Sequence, residues 1–115
     1  MAEPDWDSVT VADEDIQTSR RFADFLAGRV RNATIGRELV RLCIQAGLRV
    51  RTVEPIAVLF RDFDIADQIL GLRRNAARAV LAGKLAETDA EAWIRRLATG
   101  PVVAGFTLYL VIAEA

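Results

Sequence analysis

The spacing of apolar positions predicts two amphipathic helices in the first half of the chain. The first extends from about residue 14 to residue 31, and one stripe of it is formed by Phe22, Phe25, Leu26 and Val30. Asp13 precedes this segment as an N-cap, because a carboxylate can accept from the free amides of a first helical turn. The second helix begins after Thr34 and ends at Gly47, with an apolar face of Ile35, Leu39, Leu42 and Ala46.

The periodicity then changes to that of strands. Residues 48 to 53 alternate between apolar and polar side chains, and residues 56 to 60 continue the extended run. Pro55 lies between them and lacks an N–H, which predicts an edge or a bulge at this position. Residues 106 to 113 are rich in β-branched and aromatic side chains without clean alternation. That composition is typical of a strand covered on both faces.

Two more helices are predicted between these strands. Asp64 caps the first, which carries an apolar face and stops at Gly83; the face consists of Ile65, Ile69, Leu72 and Ala76. Thr88 and Glu91 have the spacing of a capping box at the start of the second helix. Trp93 and Leu97 anchor that helix. The pattern therefore predicts one α/β domain over residues 1–115, helix-rich, with about four helices.

Composition and charge limit the classes of function that are expected for the chain. The chain is 52% apolar and 27% charged, as in ordinary globular domains, and its net charge is -1. Its arginines are dispersed, so we expect a solvated set and no nucleic-acid partner. Histidine is absent and Cys43 is the only cysteine, which removes the commonest general base and leaves no expected metal site. The N-terminus lacks signal-peptide features and no apolar run spans a bilayer, so we expect a cytoplasmic protein without a membrane partner.

Four segments resemble the C-terminal half of class I S-adenosylmethionine-dependent methyltransferases of the small-molecule type. They are Ala-Glu-Pro-Asp-Trp-Asp at 2–7, Arg-Asn-Ala-Thr-Ile-Gly-Arg at 31–37, Gln-Ala-Gly-Leu at 45–48 and Gly-Phe-Thr-Leu-Tyr-Leu at 105–110. The resemblance covers essentially the whole chain. It implies part of a Rossmann-like sheet, in which residues 3–6 end the fifth strand and 50–60 form the sixth. Residues 106–113 would then be the seventh strand, antiparallel to its neighbours.

The cofactor-binding elements of that family are missing. The family uses a Gly-x-Gly-type loop after its first strand and an acidic residue that ends the second strand, and this chain has neither. The resemblance therefore implies methyl transfer from S-adenosylmethionine to a small-molecule acceptor only with a cofactor-binding half supplied elsewhere. The isolated chain is not expected to bind the donor. Two alternatives remain: a non-catalytic binding or oligomerisation module derived from a methyltransferase, and an all-helical adaptor, against which the β-branched tail counts.

The candidate site residues follow from the same resemblance. Asp5 and Trp6, with Asp7, would lie in a loop beyond the carboxyl ends of the strands, where ligands of open α/β sheets bind. Arg37 could contact an anionic acceptor, and the competing interpretation is a surface ion pair with Glu38 or another acid. No residue is assigned a catalytic role.

Aromatic residues after the sixth strand complete the set. Phe60 and Phe63, with Asp62 between them, would line an acceptor pocket, although aromatic side chains at such spacing are more often part of the core. Cys43 is expected to be a small buried hydrophobe.

The last predicted strand also implies a partner. Residues 106 to 113 carry apolar side chains in both directions, while the chain encodes few strands to pair with them. Unpaired apolar edges are templates for another chain. We therefore expect a homodimer or a complex with a complementary methyltransferase half.

Overall fold

The computed structural model describes residues 1–115 and contains three strands and five helices. In chain order they are β1 (Ala2–Val11), α1 (Ile16–Arg29), α2 (Ile35–Gln45), β2 (Arg49–Phe60), α3 (Phe63–Leu70), α4 (Leu72–Leu81), α5 (Glu87–Thr99) and β3 (Ala104–Glu114). The expected α/β class is confirmed, with one helix more than the four that were predicted. No helix combines the length and the apolar content that crossing a bilayer requires.

The three strands form one sheet in the order β1-β3-β2. β3 is antiparallel to both neighbours, so β1 and β2 run in the same direction. The carboxyl ends of β1 and β2 therefore meet at one end of the sheet, where Val11 and Phe60 both lie opposite Ala104. The predicted strand at residues 106 to 113 is confirmed, and it lies at the centre of the sheet, so both of its edges are paired within the chain. The expected cover on both of its faces is wrong, because Ile112 is 48% exposed. Pro55 lies in the edge strand β2, as its missing N–H predicts.

The acidic segment at the start of the chain is not the strand-end loop that was expected. It opens β1, which continues to Val11 because Val9 and Val11 alternate into the core. The register of β1 against β3 shifts between Asp5 and Thr10. Inside this irregularity the hydroxyl of Ser8 accepts from the Thr107 amide at 2.8 Å and donates to the Asp5 carbonyl at 2.5 Å. A side chain thus replaces a backbone group in the ladder.

The predicted long helix after residue 64 is two helices. Gly71 adopts a left-handed conformation with φ of 62°, ending α3 and beginning α4. The Asn75 side chain donates to the carbonyl of Leu70 at 2.9 Å and so satisfies a group that the break leaves free. The expected apolar face is wrong for α3 because the break changes the rotation of the helix: Ile65 and Ile69 are exposed, while Ala66 and Leu70 are buried. The stop at Gly83 is confirmed, with φ of 74°.

Three predicted caps differ in the structure. Asp15, rather than Asp13, caps α1 by accepting from the Thr18 amide at 3.1 Å. Asp62, rather than Asp64, caps α3 by accepting from the Ile65 amide at 3.0 Å. The Thr88 capping box is wrong because α5 begins two residues earlier than it predicts, at Glu87 after Ala86, and has no side-chain cap.

Buried side chains form three clusters; one of them joins α4 to α5 through Ala79, Leu85 and Ala90, and the two that include the sheet divide the molecule. We call the larger one the helical end: α1, α3, α4 and α5 pack around Phe22 and Trp93, and Ala104 adds the sheet to this core. The smaller cluster joins α2 to the sheet through Leu39, Cys43 and Val111, which confirms Cys43 as a buried hydrophobe. The molecule is elongated, at 52 × 27 × 20 Å.

Candidate functional site

Aromatic rings from all three strands form a row on one face of the sheet. Trp6 of β1 lies 4.9 Å from Phe106 of β3, and Phe60 of β2 lies 6.3 Å from Phe106 on its other side, between ring centroids. The three rings are tilted against each other, which is a favourable arrangement for aromatic pairs. All three are partly exposed and pack against the core of the helical end. The row spans the sheet close to the carboxyl ends of β1 and β2.

Phe63 belongs to the same neighbourhood without joining the row. It is the first residue of α3, directly after the capping residue Asp62, and its ring packs on the core of the helical end. The guanidinium of Arg73 covers the ring at 4.9 Å from its centroid. This cation–π contact occupies one face of the ring, so an aromatic ligand could approach Phe63 only from another side.

Asp5 and Arg37 lie on the opposite side of β1, because neighbouring residues of a strand point to opposite faces. Asp5 is buried, and its Oδ2 accepts from Nε of Arg37 at 2.6 Å. A terminal nitrogen of Arg37 also donates to Asp7 at 3.3 Å. Arg37 sits in the first turn of α2, so these bonds hold α2 against β1. The ion pair uses Asp5 and Asp7 rather than Glu38, which bonds Arg41 instead.

The charge of Arg37 is fixed by this arrangement. The hydrogen bond to Asp5 raises the pKa of the guanidinium above its usual range, and burial opposes that effect. The side chain of Arg37 is 46% exposed, so its outer face remains open to solvent. Arg37 is therefore a positioning residue for the start of α2 that keeps a free cationic surface.

Close backbone packing fixes the same junction. The Trp6 amide donates to the carbonyl of Ala33 at 2.8 Å, just before α2. A Cβ on Gly36 would lie 2.7 Å from the carbonyl oxygen of Glu3, so only glycine permits this approach. Trp6 is thus held by its amide and by its ring.

The structure contains a second buried ion pair, which was not predicted from the sequence. Asp13, whose side chain is 6% exposed, receives Nη2 of Arg96 at 2.8 Å and Nε at 3.1 Å. The Asp15 amide also donates to Asp13 at 2.9 Å. Burial would raise the pKa of Asp13, but the hydrogen bonds from Arg96 and from the Asp15 amide lower it below the ordinary value. The pair fastens the segment after β1 to α5.

The structure therefore divides the predicted site residues into two groups. It brings Trp6, Phe60 and Phe63 to the helical end on one side of the sheet, and it places Asp5 and Arg37 together on the other side. Phe106, the centre of the aromatic row, was not selected from the sequence. Its position in a predicted strand was the available signal, but the register that sets it between the other two rings is not encoded locally. No group of three or more carboxylate or cysteine side chains is arranged to hold a metal ion.

Comparison with known proteins gives one informative relative. The chain is 48% identical over 116 residues to an uncharacterized 37.1 kDa protein in transposon TN4556 of Streptomyces fradiae. The match covers 100% of this chain and 34% of the relative, so the chain spans about a third of that protein's length. No known family and no solved structure matches the chain.

Proposed function

We propose that this chain is the substrate-side portion of an S-adenosylmethionine-dependent methyltransferase for a small-molecule acceptor, and that it works with a cofactor-binding half. The strand order carries the proposal. The resemblance implies a last strand that is antiparallel to its neighbours, and here β3 lies between β1 and β2 and is antiparallel to both. The two outer strands run in one direction, as two strands of a larger sheet with mainly parallel strands would.

The aromatic row supports an acceptor site on this chain. Ligands of open α/β sheets bind beyond the carboxyl ends of the strands, and Phe60 is the last residue of β2. Trp6 and Phe63 approach the same end from β1 and α3. Partly exposed aromatic side chains beside a rigid core are suited to bind a flat apolar acceptor. Arg37 lies on the other side of β1 from the aromatic row. It would therefore bind an acidic group of the acceptor only if the acceptor extended around β1.

The sheet leaves room for the missing half. Beyond the aromatic row, the face opposite α2 has no helix over it, and Ile56 and Ile112 are exposed there beside the partly exposed Leu108 and Leu110. We call these four residues the open face. A complementary half that covers the open face would bury this apolar surface, and a second copy of the chain would be the alternative occupant. The relative's additional length is compatible with such a half in one polypeptide.

Donor binding tests the proposal. Calorimetric titration of the isolated chain with S-adenosylmethionine should give no saturable heat, because the glycine-rich loop and the ribose carboxylate are absent. The transposon relative should bind the donor, and so should a chimaera in which this chain replaces the matching third of that relative. Failure of both longer proteins to bind the donor would contradict the methyltransferase proposal and favour a non-catalytic binding module. Saturable binding by the isolated chain would contradict the half-site interpretation.

Substitutions in the chimaera test the acceptor side. Trp6→Ala and Phe63→Ala should reduce turnover of the acceptor, identified from a panel of small phenols and amines, while the affinity for the donor stays unchanged. Leu59→Ala is the matched control: Leu59 precedes Phe60 in β2 and is 62% exposed, so neither quantity should change. Loss of donor affinity with unchanged acceptor kinetics would place Trp6 and Phe63 on the wrong side of the site.

A further inference from the structure

The two helices that follow the break at Gly71 form a groove unrelated to the aromatic row. α4 and α5 are joined by a turn at residues 82 to 86, so they run antiparallel side by side. Between them lies an open groove of about 700 Å³, and its floor is formed mainly by small apolar side chains: Ala76, Ala77, Ala90, Ile94 and Ala98. Small residues allow the side chains of another helix to approach the floor closely.

The groove has opposite charges at its two ends. Glu87 and Glu91 lie on the turn side, and Arg95 lies toward the opposite end together with Arg73, whose guanidinium also covers the Phe63 ring. Glu87, Glu91 and Arg95 are four residues apart in α5, so they share one face of that helix. If a second copy of the chain faces this groove after a rotation of 180°, the acidic end of each copy meets the basic end of the other. The surface is therefore complementary to itself.

Leu81 supplies an apolar side chain that fits such a rotation. It is the last residue of α4, lines the turn end of the groove and is 89% exposed, more than any other large apolar side chain of the chain. No contact within its own chain accounts for a leucine at this position. In a pair related by a two-fold axis, Leu81 of each copy would cover the alanine-lined floor of the other.

We propose that α4 and α5 bind α4 and α5 of a second copy, antiparallel, in a four-helix arrangement around a two-fold axis. This dimer does not depend on the methyltransferase proposal and uses neither the sheet edges nor the open face. α5 is about 20 Å long, and a helix pair is about 20 Å wide, so the buried total is on the order of 1,000 Å². That area is at the lower end for specific interfaces, so we expect a weak and reversible dimer.

Sedimentation equilibrium of the full chain, from about 1 μM to about 1 mM, measures the association. The wild type should show a reversible monomer–dimer equilibrium. Leu81→Arg should raise the dissociation constant at least about tenfold, because it removes an apolar contact and places a positive charge at the basic end of the other copy. Ile112→Thr, on the open face of the sheet, is the matched control and should leave the dissociation constant unchanged. A wild type that stays monomeric throughout, or a dimer that Ile112→Thr weakens and Leu81→Arg does not, would overturn the proposal.

A charge exchange tests the geometry independently of folding. Glu91→Arg puts positive charges at both position 91 and position 95, and Arg95→Glu puts negative charges at both, so each variant alone should dimerise much more weakly than the wild type. An equimolar mixture of the two should form a heterodimer, since position 91 of each copy then again faces an opposite charge at position 95 of the other. Circular dichroism of each variant confirms that it is folded. A mixture that remains monomeric, although both variants are folded, would contradict the antiparallel pairing.

Discussion

The helical end and the sheet beyond it bury their apolar residues very differently. At the helical end, twelve side chains form one core, and Phe22 and Trp93 are both 0% exposed and 5.0 Å apart between ring centroids. Around α2, three residues form the whole buried cluster. Val53, Ile56, Leu59 and Ile112 of the neighbouring strands stay exposed.

The difference shows which part of the chain is complete in itself. The helical end closes around its own core. Away from that core, a helix covers only one of the two faces of the sheet. The radius of gyration is 16.1 Å, while a compact domain of 100 residues has about 13 Å. The apolar strands extend beyond the core that would normally cover them. This is the structural basis for expecting a partner at the sheet and none in the core of the helical end.

The largest expected effect is the removal of the central aromatic side chain of the helical end. Trp93 is completely buried, and its indole N–H donates to the Ser19 hydroxyl at 2.9 Å. Trp93→Ala should lower the free energy of unfolding by about 3–5 kcal/mol, from the cavity and the lost transfer energy. Urea denaturation followed by circular dichroism measures it. Trp93→Phe, which keeps a ring, should cost clearly less, and a loss below about 1 kcal/mol for the alanine variant would contradict a single well-packed core.

The small cluster should respond less strongly and more locally. Leu39→Ala should cost about 2–3 kcal/mol, at the lower end for a buried leucine, because the neighbouring side chains are partly exposed and can move into the space. Hydrogen exchange should become faster in α2 and β2 and stay slow in α4 and α5. If exchange in all elements rises together, the two regions unfold as one unit and the contrast between them fails.

The sequence predicted the helices and strands well where a few neighbouring residues determine the local structure. The helical spacing around Phe22, the stop at Gly83 and the edge position of Pro55 each depend on neighbours in the chain, and all three are confirmed. Gly71 shows the limit of such signals. A single glycine within a helical pattern of apolar positions is compatible with one continuous helix. In the structure Gly71 ends the helix, because it adopts a left-handed φ and the Asn75 side chain bonds the carbonyl that the break leaves free.

The contacts of the candidate site could not be predicted from neighbouring residues of the sequence. The bond between Arg37 and Asp5 joins residues 32 positions apart, and that between Arg96 and Asp13 joins residues 83 positions apart. Their side chains meet because α2 packs against β1 and because Arg96 of α5 reaches the segment after β1. Strand register and helix packing fix both arrangements, and one-residue shifts would separate these pairs.

The pair of Asp13 and Arg96 should make the helical end sensitive to acid. The pKa of Asp13 in the folded chain is lowered from its ordinary value of 3.8, so the folded state favours the carboxylate. The resulting stabilisation is complete above pH 3.8 and is lost as the pH falls through the lower pKa of the folded state. Asp13→Asn should therefore be less stable than the wild type at pH 7, and the difference should shrink below pH 4. Urea denaturation at several pH values measures this, and a difference that is constant with pH would contradict the assignment.

The smallest expected effect concerns the open face of the sheet and completes the comparison. Ile112 is in β3 and is 48% exposed, so its side chain contributes little to the core of the isolated chain. Ile112→Thr keeps a β-branched side chain suited to a strand and should change the free energy of unfolding by no more than about 0.5 kcal/mol, as surface substitutions do. The same change should weaken association of this chain with a cofactor-binding half, because a hydroxyl would be buried where an ethyl group packs. In the chimaera with the transposon relative, where both parts are joined, the substitution should therefore lower the melting temperature although it is nearly neutral in the isolated chain. Val103→Thr, at a 45% exposed site before β3 and outside the open face, is the control and should not lower it. If Ile112→Thr destabilises both proteins equally, the open face belongs to the core of this chain, and no partner is needed to explain its apolar residues.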